Sequence, residues 1–147
     1  MIKKTDLHSG IFNKLCVISA PSGAGKTSLI KKICANPSIE VCISETTRPP
    51  RKGEVDGIDY VYIDKEDFQL RVKNESYVEH ALVHGNYYGT LLGSVVQLLK
   101  KEIVVILEID YQGAEIIKRK LPTSRNIFVL PPSLEILEKR LRDRGTD

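Results

Sequence analysis

The chain has 147 residues, 41% hydrophobic and 28% charged, a balance that suits one folded domain with a real core and excludes a disordered chain. A formal charge of +3 is too small to imply a nucleic-acid partner, and no apolar run approaches membrane-spanning length. Three cysteines, Cys16, Cys34 and Cys42, sit in apolar contexts without metal-type spacing, which argues for buried thiols in a reducing, cytoplasmic setting rather than disulfides or zinc.

Residues 1–13 hold Lys3, Lys4, Asp6 and His8 and no apolar stretch, so they are expected to be an N-terminal extension without a secretory signal or an assigned role. Residues 15–18, Leu-Cys-Val-Ile, predict a short buried strand. A glycine-rich loop from Ser19 to Ser28 follows, and residues 29–34 continue as a helix. Strand, glycine-rich loop and helix in that order form the context of a phosphate-binding loop. Backbone N–H groups of Ser22, Gly23, Ala24 and Gly25 would converge on phosphate oxygens, helped by the field of the helix N-terminus. Lys26 would reach the outer phosphates and the Thr27 hydroxyl would ligate Mg²⁺. Ala20 stands where the general pattern has glycine, and it serves provided its φ is negative.

Residues 41–43 are a strand candidate. Residues 46–59 carry Pro49, Pro50, Gly53 and Gly57 and read as loop. Residues 60–63 are strand-like, and Asp64 is placed to cap a helix over about 65–73. Short strands at 77–79 and 86–88 flank a turn at Gly85. Residues 91–101 have helical spacing. The β-branched run 103–107 predicts a strand buried on both faces. A helix over 112–120 ends before Pro122. Residues 127–130 are expected to be another buried strand, stopped by Pro131 and Pro132, and Ser133 caps a last helix over about 134–142. Buried strands alternating with helices predict an α/β fold: a parallel sheet of the phosphate-loop NTPase type, flanked by helices. Residues 41–90 depart from that pattern and read as a small β-rich insertion.

Two further segments carry candidate chemistry. Arg48 and Arg51 lie three apart on a proline-stiffened loop, a plausible fork for a phosphate or carboxylate, although basic loops are also ordinary solvated surface. Residues 84–90, His-Gly-Asn-Tyr-Tyr-Gly-Thr, put phenol and hydroxyl groups on a tight turn, which packing alone would also explain. Glu108 and Asp110 end the 103–107 strand, where ligands bind in open α/β sheets. Asp110 is equally suited to capping the following helix.

Taken together, these segments resemble the guanylate kinase family over nearly the whole chain, from about Leu15 to Asp147. Five ordered motifs carry the resemblance: the phosphate loop, Thr46-Thr47-Arg48-Pro49-Pro50-Arg51-Lys52-Gly53-Glu54, Gly85-Asn86-Tyr87-Tyr88-Gly89-Thr90, Ile109-Asp110-Tyr111-Gln112-Gly113, and Pro131-Pro132-Ser133 with Arg140-Leu141-Arg142-Asp143-Arg144-Gly145. The resemblance implies transfer of the γ-phosphoryl group of ATP to GMP or dGMP, with Mg²⁺. It assigns ATP to Ser22, Gly23, Ala24, Gly25, Lys26, Thr27 and Ser28. It assigns the acceptor phosphate to Arg48, Arg51, Tyr60 and Tyr88, and the base to Ser44, Glu79 and Thr90. A carboxylate such as Glu79 can accept from both N1–H and the N2 amine of guanine, a donor pair that adenine lacks. Without the family, Glu79 would read as a surface carboxylate.

The resemblance further implies that Glu108 and Asp110 contact the acceptor, with Thr27 and Asp110 as the metal residues. Relatives usually have Asp at both carboxylate positions; the extra methylene of Glu108 makes Asp110 the more trusted contact. Lys26, Arg51, Arg144 and Arg140 would carry the transfer chemistry, the last two from the start of a lid. The expected organisation is a core of 14–40 and 91–132, a GMP-binding region of 41–90, and a helix leading into the lid at 133–147. Because the resemblance is still full at Asp147, the rest of a lid, a core strand and a last helix are expected to be missing, with weak GMP binding and poor catalysis as the consequence. Two alternatives stay open: a guanylate-kinase-like module that binds proteins without catalysis, and a phosphate-loop kinase for another small acceptor.

Overall fold

The computed structural model describes residues 10–145; the outer part of the expected N-terminal extension, 1–9, and the last two lid residues, 146–147, lie outside the described residues. Among the described residues, two four-stranded sheets and five helices make up the fold. The first is wholly parallel, in the order β2 (Ile39–Val41), β7 (Val104–Glu108), β1 (Leu15–Ser19), β8 (Arg125–Phe128). The second, in the order β4 (Val61–Tyr62), β3 (Glu45–Thr46), β6 (Asn86–Leu91), β5 (Tyr77–Val83), is the expected insertion, with β5, β6 and β3 antiparallel. Five helices connect them: α1 (Lys26–Ile33), α2 (Lys65–Lys73), α3 (Leu92–Leu99), α4 (Tyr111–Lys120) and α5 (Leu134–Arg144).

Side-chain alternation along β1 and β7 explains why both are apolar up to their last residues, Ser19 and Glu108. Leu15, Val17, Val105 and Leu107 enter one core with Val95, Leu99, Ile117 and Leu121 of α3, α4 and the turn after it. Ile18 and Ile106 enter a smaller core on the opposite face with Ile30 of α1. A strand covered on both sides has no polar face to show. The starts of α2, α5 and α4 are capped by local side chains. The Asp64 carboxylate accepts from Asp67 N at 2.7 Å, the Ser133 hydroxyl from Ile136 N at 3.2 Å, and the Asp110 carboxylate from Gly113 N at 3.0 Å.

Several elements differ from the sequence reading. The core begins before residue 14: Gly10–Lys14 forms a 3-10 turn against α3, and Phe12 is fully buried in the larger core. A lone aromatic in a polar stretch gives no periodicity from which to foresee this. The strand expected at 41–43 is β2, Ile39–Val41, in the parallel sheet, and Cys42 after it packs into the core. Strand β8 is Arg125–Phe128 rather than 127–130, and it is exposed rather than buried. It is the edge of its sheet, hydrogen-bonded to β1 alone, so Phe128 stays 55% exposed and Leu130 71%. Apolar composition cannot distinguish an edge from a centre.

Candidate active site

The phosphate loop joins β1 to α1. Gly23 and Gly25 have φ of 83° and 95°, a backbone region that non-glycine residues avoid, whereas Ala20 does not take a positive φ. The Lys26 ammonium donates to Ile109 O at 3.3 Å, tying the loop to the end of β7. Burial lowers the pKa of Lys26, opposed by Glu108 and Asp110 nearby. Thr27 Oγ1 donates to Glu108 Oε1 at 2.8 Å.

The two carboxylates after β7 therefore occupy different places. Glu108 faces the phosphate loop, and Asp110 caps α4, with its second oxygen accepting from Gln112 Nε2 at 3.3 Å. The sequence favours Asp110 over Glu108 as the contact to acceptor or metal; the carboxylate that meets Thr27 in the structure is that of Glu108, whose extra methylene extends its reach. Asp110 still acts through its field, since it raises the pKa of both Lys26 and Glu79.

Helix α5 lies over the loop. Leu137 and Leu141 approach Gly23 so closely that a Cβ there would meet them at 3.4 and 3.3 Å. Arg140 Nη1 donates to Gly23 O, and Arg144 Nη1 to Ser22 Oγ, each at 3.3 Å. Both arginines are exposed, and their i, i+4 spacing puts them on one side of the helix.

Across from the loop, the insertion presents its arginines. Arg48 is gripped by Glu54 through both carboxylate oxygens at 2.9 Å, donates from Nε to Tyr88 Oη at 3.1 Å, and lies 5.4 Å from the Tyr60 ring centroid. Glu54 also accepts from Arg51 N at 2.7 Å and Tyr62 OH at 2.8 Å. The hydrogen-bonded Arg48 holds the Glu54 pKa down to about 2. The motifs assign Glu54 no role; its one signal in the sequence is an acid placed among three basic residues, Arg48, Arg51 and Lys52, in one loop. Burial pushes the Tyr60 phenol up to about 12, so it is a neutral donor near pH 7.

A cleft of about 150 Å³ separates the two sides. Thr27, Glu108 and Arg144 line one wall, and Arg48, Arg51, Tyr60 and Tyr88 the other. Arg140, by contrast, is not on its wall. Ser44, Glu79 and Thr90 are not on it either, because they form a buried relay beside it. The Ser44 and Thr90 hydroxyls are 2.8 Å apart, and Thr90 Oγ1 donates to Glu79 Oε1 at 2.5 Å. The register of β5 against β6 sets Glu79 opposite Thr90. Strands ending at 79 and 88 would not have paired them. Glu79 is 2% exposed, and burial raises its pKa to about 7.

The phosphate loop thus faces Arg48 and Arg51 across one cleft, with the buried Ser44, Thr90 and Glu79 relay beside it. The family model for guanylate kinase matches residues 12–147. This chain belongs to the guanylate kinase family. It is 52% identical over 134 residues to a guanylate kinase of Hydrogenovibrio crunogenus, covering 90% of this chain and 65% of that relative. It is 49% identical over 134 residues to one from Methylococcus capsulatus, covering 90% of this chain and 66% of that protein. The crystal structure of guanylate kinase from Anaplasma phagocytophilum superposes with a TM-score of 0.73 at 34% identity, over 89% of this chain and 66% of that one. The chain thus spans about two thirds of the length of the relatives it matches.

Proposed function

We propose that this member of the guanylate kinase family transfers the γ-phosphoryl group of ATP to GMP or dGMP, yielding ADP and GDP or dGDP. The single cleft shared by Thr27 and Arg144 on one wall and Arg48 and Arg51 on the other carries the reading. Donor and acceptor phosphates placed there would meet end to end, and this chemistry needs positioning and charge neutralisation above all. Residues Ser22 to Ser28 would hold the ATP phosphates, with Lys26 released from Ile109 O to reach them. Arg51, which is exposed in the cleft, and Arg48, held by Glu54, would take the acceptor phosphate with Tyr60 and Tyr88.

Mg²⁺ fits beside Thr27 and Glu108. Among the described residues no three His, Cys, Asp or Glu side chains cluster to cage a metal, which suits an ion that takes most of its oxygens from phosphates and water. Mg²⁺ would neutralise phosphate charge during transfer. Asp110 would serve the acceptor side, through its field on Glu79. Arg144 would stabilise the charge on the transferring group, with Arg140 holding the loop at Gly23.

Guanine would be read by Glu79, Ser44 and Thr90. The Glu79 carboxylate accepts from N1–H and N2–H, and the hydroxyls address O6 and N7. The intact loop with its engaged Lys26 and Thr27 supports an enzyme over a protein-binding module, and the Glu79 relay supports guanine over other acceptors. A cytoplasmic place in purine nucleotide metabolism follows from those substrates, and the free thiols Cys16, Cys34 and Cys42 suit a reducing setting. Among the described residues no helix is long and apolar enough to cross a membrane.

Coupled ADP formation from MgATP with GMP, dGMP, AMP, CMP and UMP tests the reading. Turnover dependent on GMP or dGMP, and lost in Lys26→Ala and Arg51→Ala, is the expected result. Preference for AMP or UMP would refute the base assignment, and silence of the folded protein with every acceptor would point to the binding module.

A further inference from the structure

The Glu79 carboxylate is enclosed on its α4 side by a residue without a side chain. Gly113 is the third residue of α4 and is buried. A Cβ at this position would stand 2.5 Å from Glu79 Oε2, 3.3 Å from Glu79 Cδ and 3.1 Å from Ile109 Cδ1. A contact of 2.5 Å is impossible for a real methyl group. Backbone conformation does not demand glycine here, because Gly113 is not among the residues with positive φ. Helix formation argues against it, since glycine is the poorest helix former after proline. At Gly93, also helical, an added Cβ would meet nothing within 4 Å. The crowding at Gly113 is specific to Glu79 and its neighbour Ile109.

Glu79 cannot simply step aside. Its backbone is paired between β5 and β6, and Thr90 Oγ1 holds Oε1 at 2.5 Å. A methyl group at 113 would push the carboxylate against that hydrogen bond and displace both oxygens. We propose that Gly113 is a specificity-determining positioning residue: by offering no side chain, it lets α4 back the Glu79 carboxylate and sets where its two oxygens stand. Gly113 would act through Glu79 rather than on a substrate atom. The proposal rests on the reading of Glu79 as the guanine-recognising group.

Titration calorimetry with GMP, IMP and MgATP tests it on wild type, Gly113→Ala, Glu79→Asp, the Gly113→Ala/Glu79→Asp double variant and Glu79→Ala, with thermal melting alongside. IMP lacks the N2 amine, so the GMP-to-IMP affinity ratio reads how well the carboxylate is placed. Gly113→Ala is expected to weaken GMP binding on the order of 10–100-fold, the scale of a misplaced recognition group, and to narrow the GMP-to-IMP ratio. Affinity for MgATP stays within about twofold, as for an uncoupled site. The shorter Asp side chain vacates the contested space, so adding Gly113→Ala to Glu79→Asp changes GMP affinity by less than about threefold.

Wild-type GMP affinity and discrimination in Gly113→Ala would overturn the proposal, as would full additivity in the double variant. If Gly113→Ala fails to fold, folding of the double variant supports the proposal. Failure of both assigns the crowding to Ile109 and overturns it. Unchanged GMP affinity in Glu79→Ala would instead remove the assignment of Glu79 itself, and the role of Gly113 with it.

Discussion

Glu54 and Arg48 meet fork to fork, with both carboxylate oxygens 2.9 Å from the two terminal guanidinium nitrogens. Nη1 also donates to Pro49 O at 2.9 Å and Nε to Tyr88 Oη at 3.1 Å, so most of the donors of Arg48 are committed within its own loop. Arg48 is thereby fixed in place, and Arg51 is the more exposed of the two. Glu54→Ala is expected to raise KM for GMP by roughly tenfold through loss of positioning, with KM for ATP unchanged. Steady-state kinetics with each substrate varied in turn checks this. Because the Glu54 pKa lies at about 2, below that of an unfolded glutamate, its contribution to stability is present above about pH 4.5 and is lost as pH falls toward 2. The pair is partly exposed, so that contribution is modest.

Glu79 is a buried carboxylate. Its pKa of about 7 lies above the ordinary glutamate value, so below pH 7 the free protein holds it protonated. On the proposed reading, guanine binding uses the ionised carboxylate. GMP affinity should therefore rise with pH up to about 7 and level off above it, with a proton released on binding in the lower range. Calorimetry in buffers of different ionisation enthalpy detects that proton. Folding stability runs the opposite way: the native state holds the proton more tightly, so this residue's contribution declines as pH rises from about 4.5 to 7. Glu79→Gln should abolish both dependences.

Arg144 lines the cleft and reaches Ser22, while Arg140 stops at Gly23 O outside it. Arg144→Ala should lower kcat by about 10²-fold or more, as removal of a transition-state charge partner does, with a much smaller effect on the KM values. The effect of Arg140→Ala should be smaller and should appear mainly in KM for ATP, because its hydrogen bond holds the loop. Single-turnover measurements separate the two.

Phe12 is fully buried against the core that β1, β7 and α3 share. Phe12→Ala should destabilise the protein by about 3–5 kcal/mol, the range for deleting a buried aromatic. Urea unfolding measures it. A loss below about 1 kcal/mol, the surface range, would show that the Gly10–Lys14 turn contributes little to the core.

Short-range chemistry accounts for the features legible in the unfolded chain. The run from Leu15 to Ile18, the glycines of the loop and the Asp64 and Ser133 caps each follow from neighbouring residues. Helix α2 over Lys65–Lys73 spans the residues expected for it. Alternation of apolar strands with helices fixed the parallel α/β core for the same reason. Tertiary structure alone decided the rest. Whether β8 is covered depends on its place at the sheet edge, which composition does not encode. The pairing of Glu79 with Thr90 depends on how far β5 and β6 run together, and the choice of Glu108 over Asp110 for Thr27 on side-chain reach across two elements. The need for glycine at 113 comes from a carboxylate 34 positions away along the chain (113 − 79). Such contacts join residues far apart in sequence, and only the folded backbone brings them within hydrogen-bonding or van der Waals range.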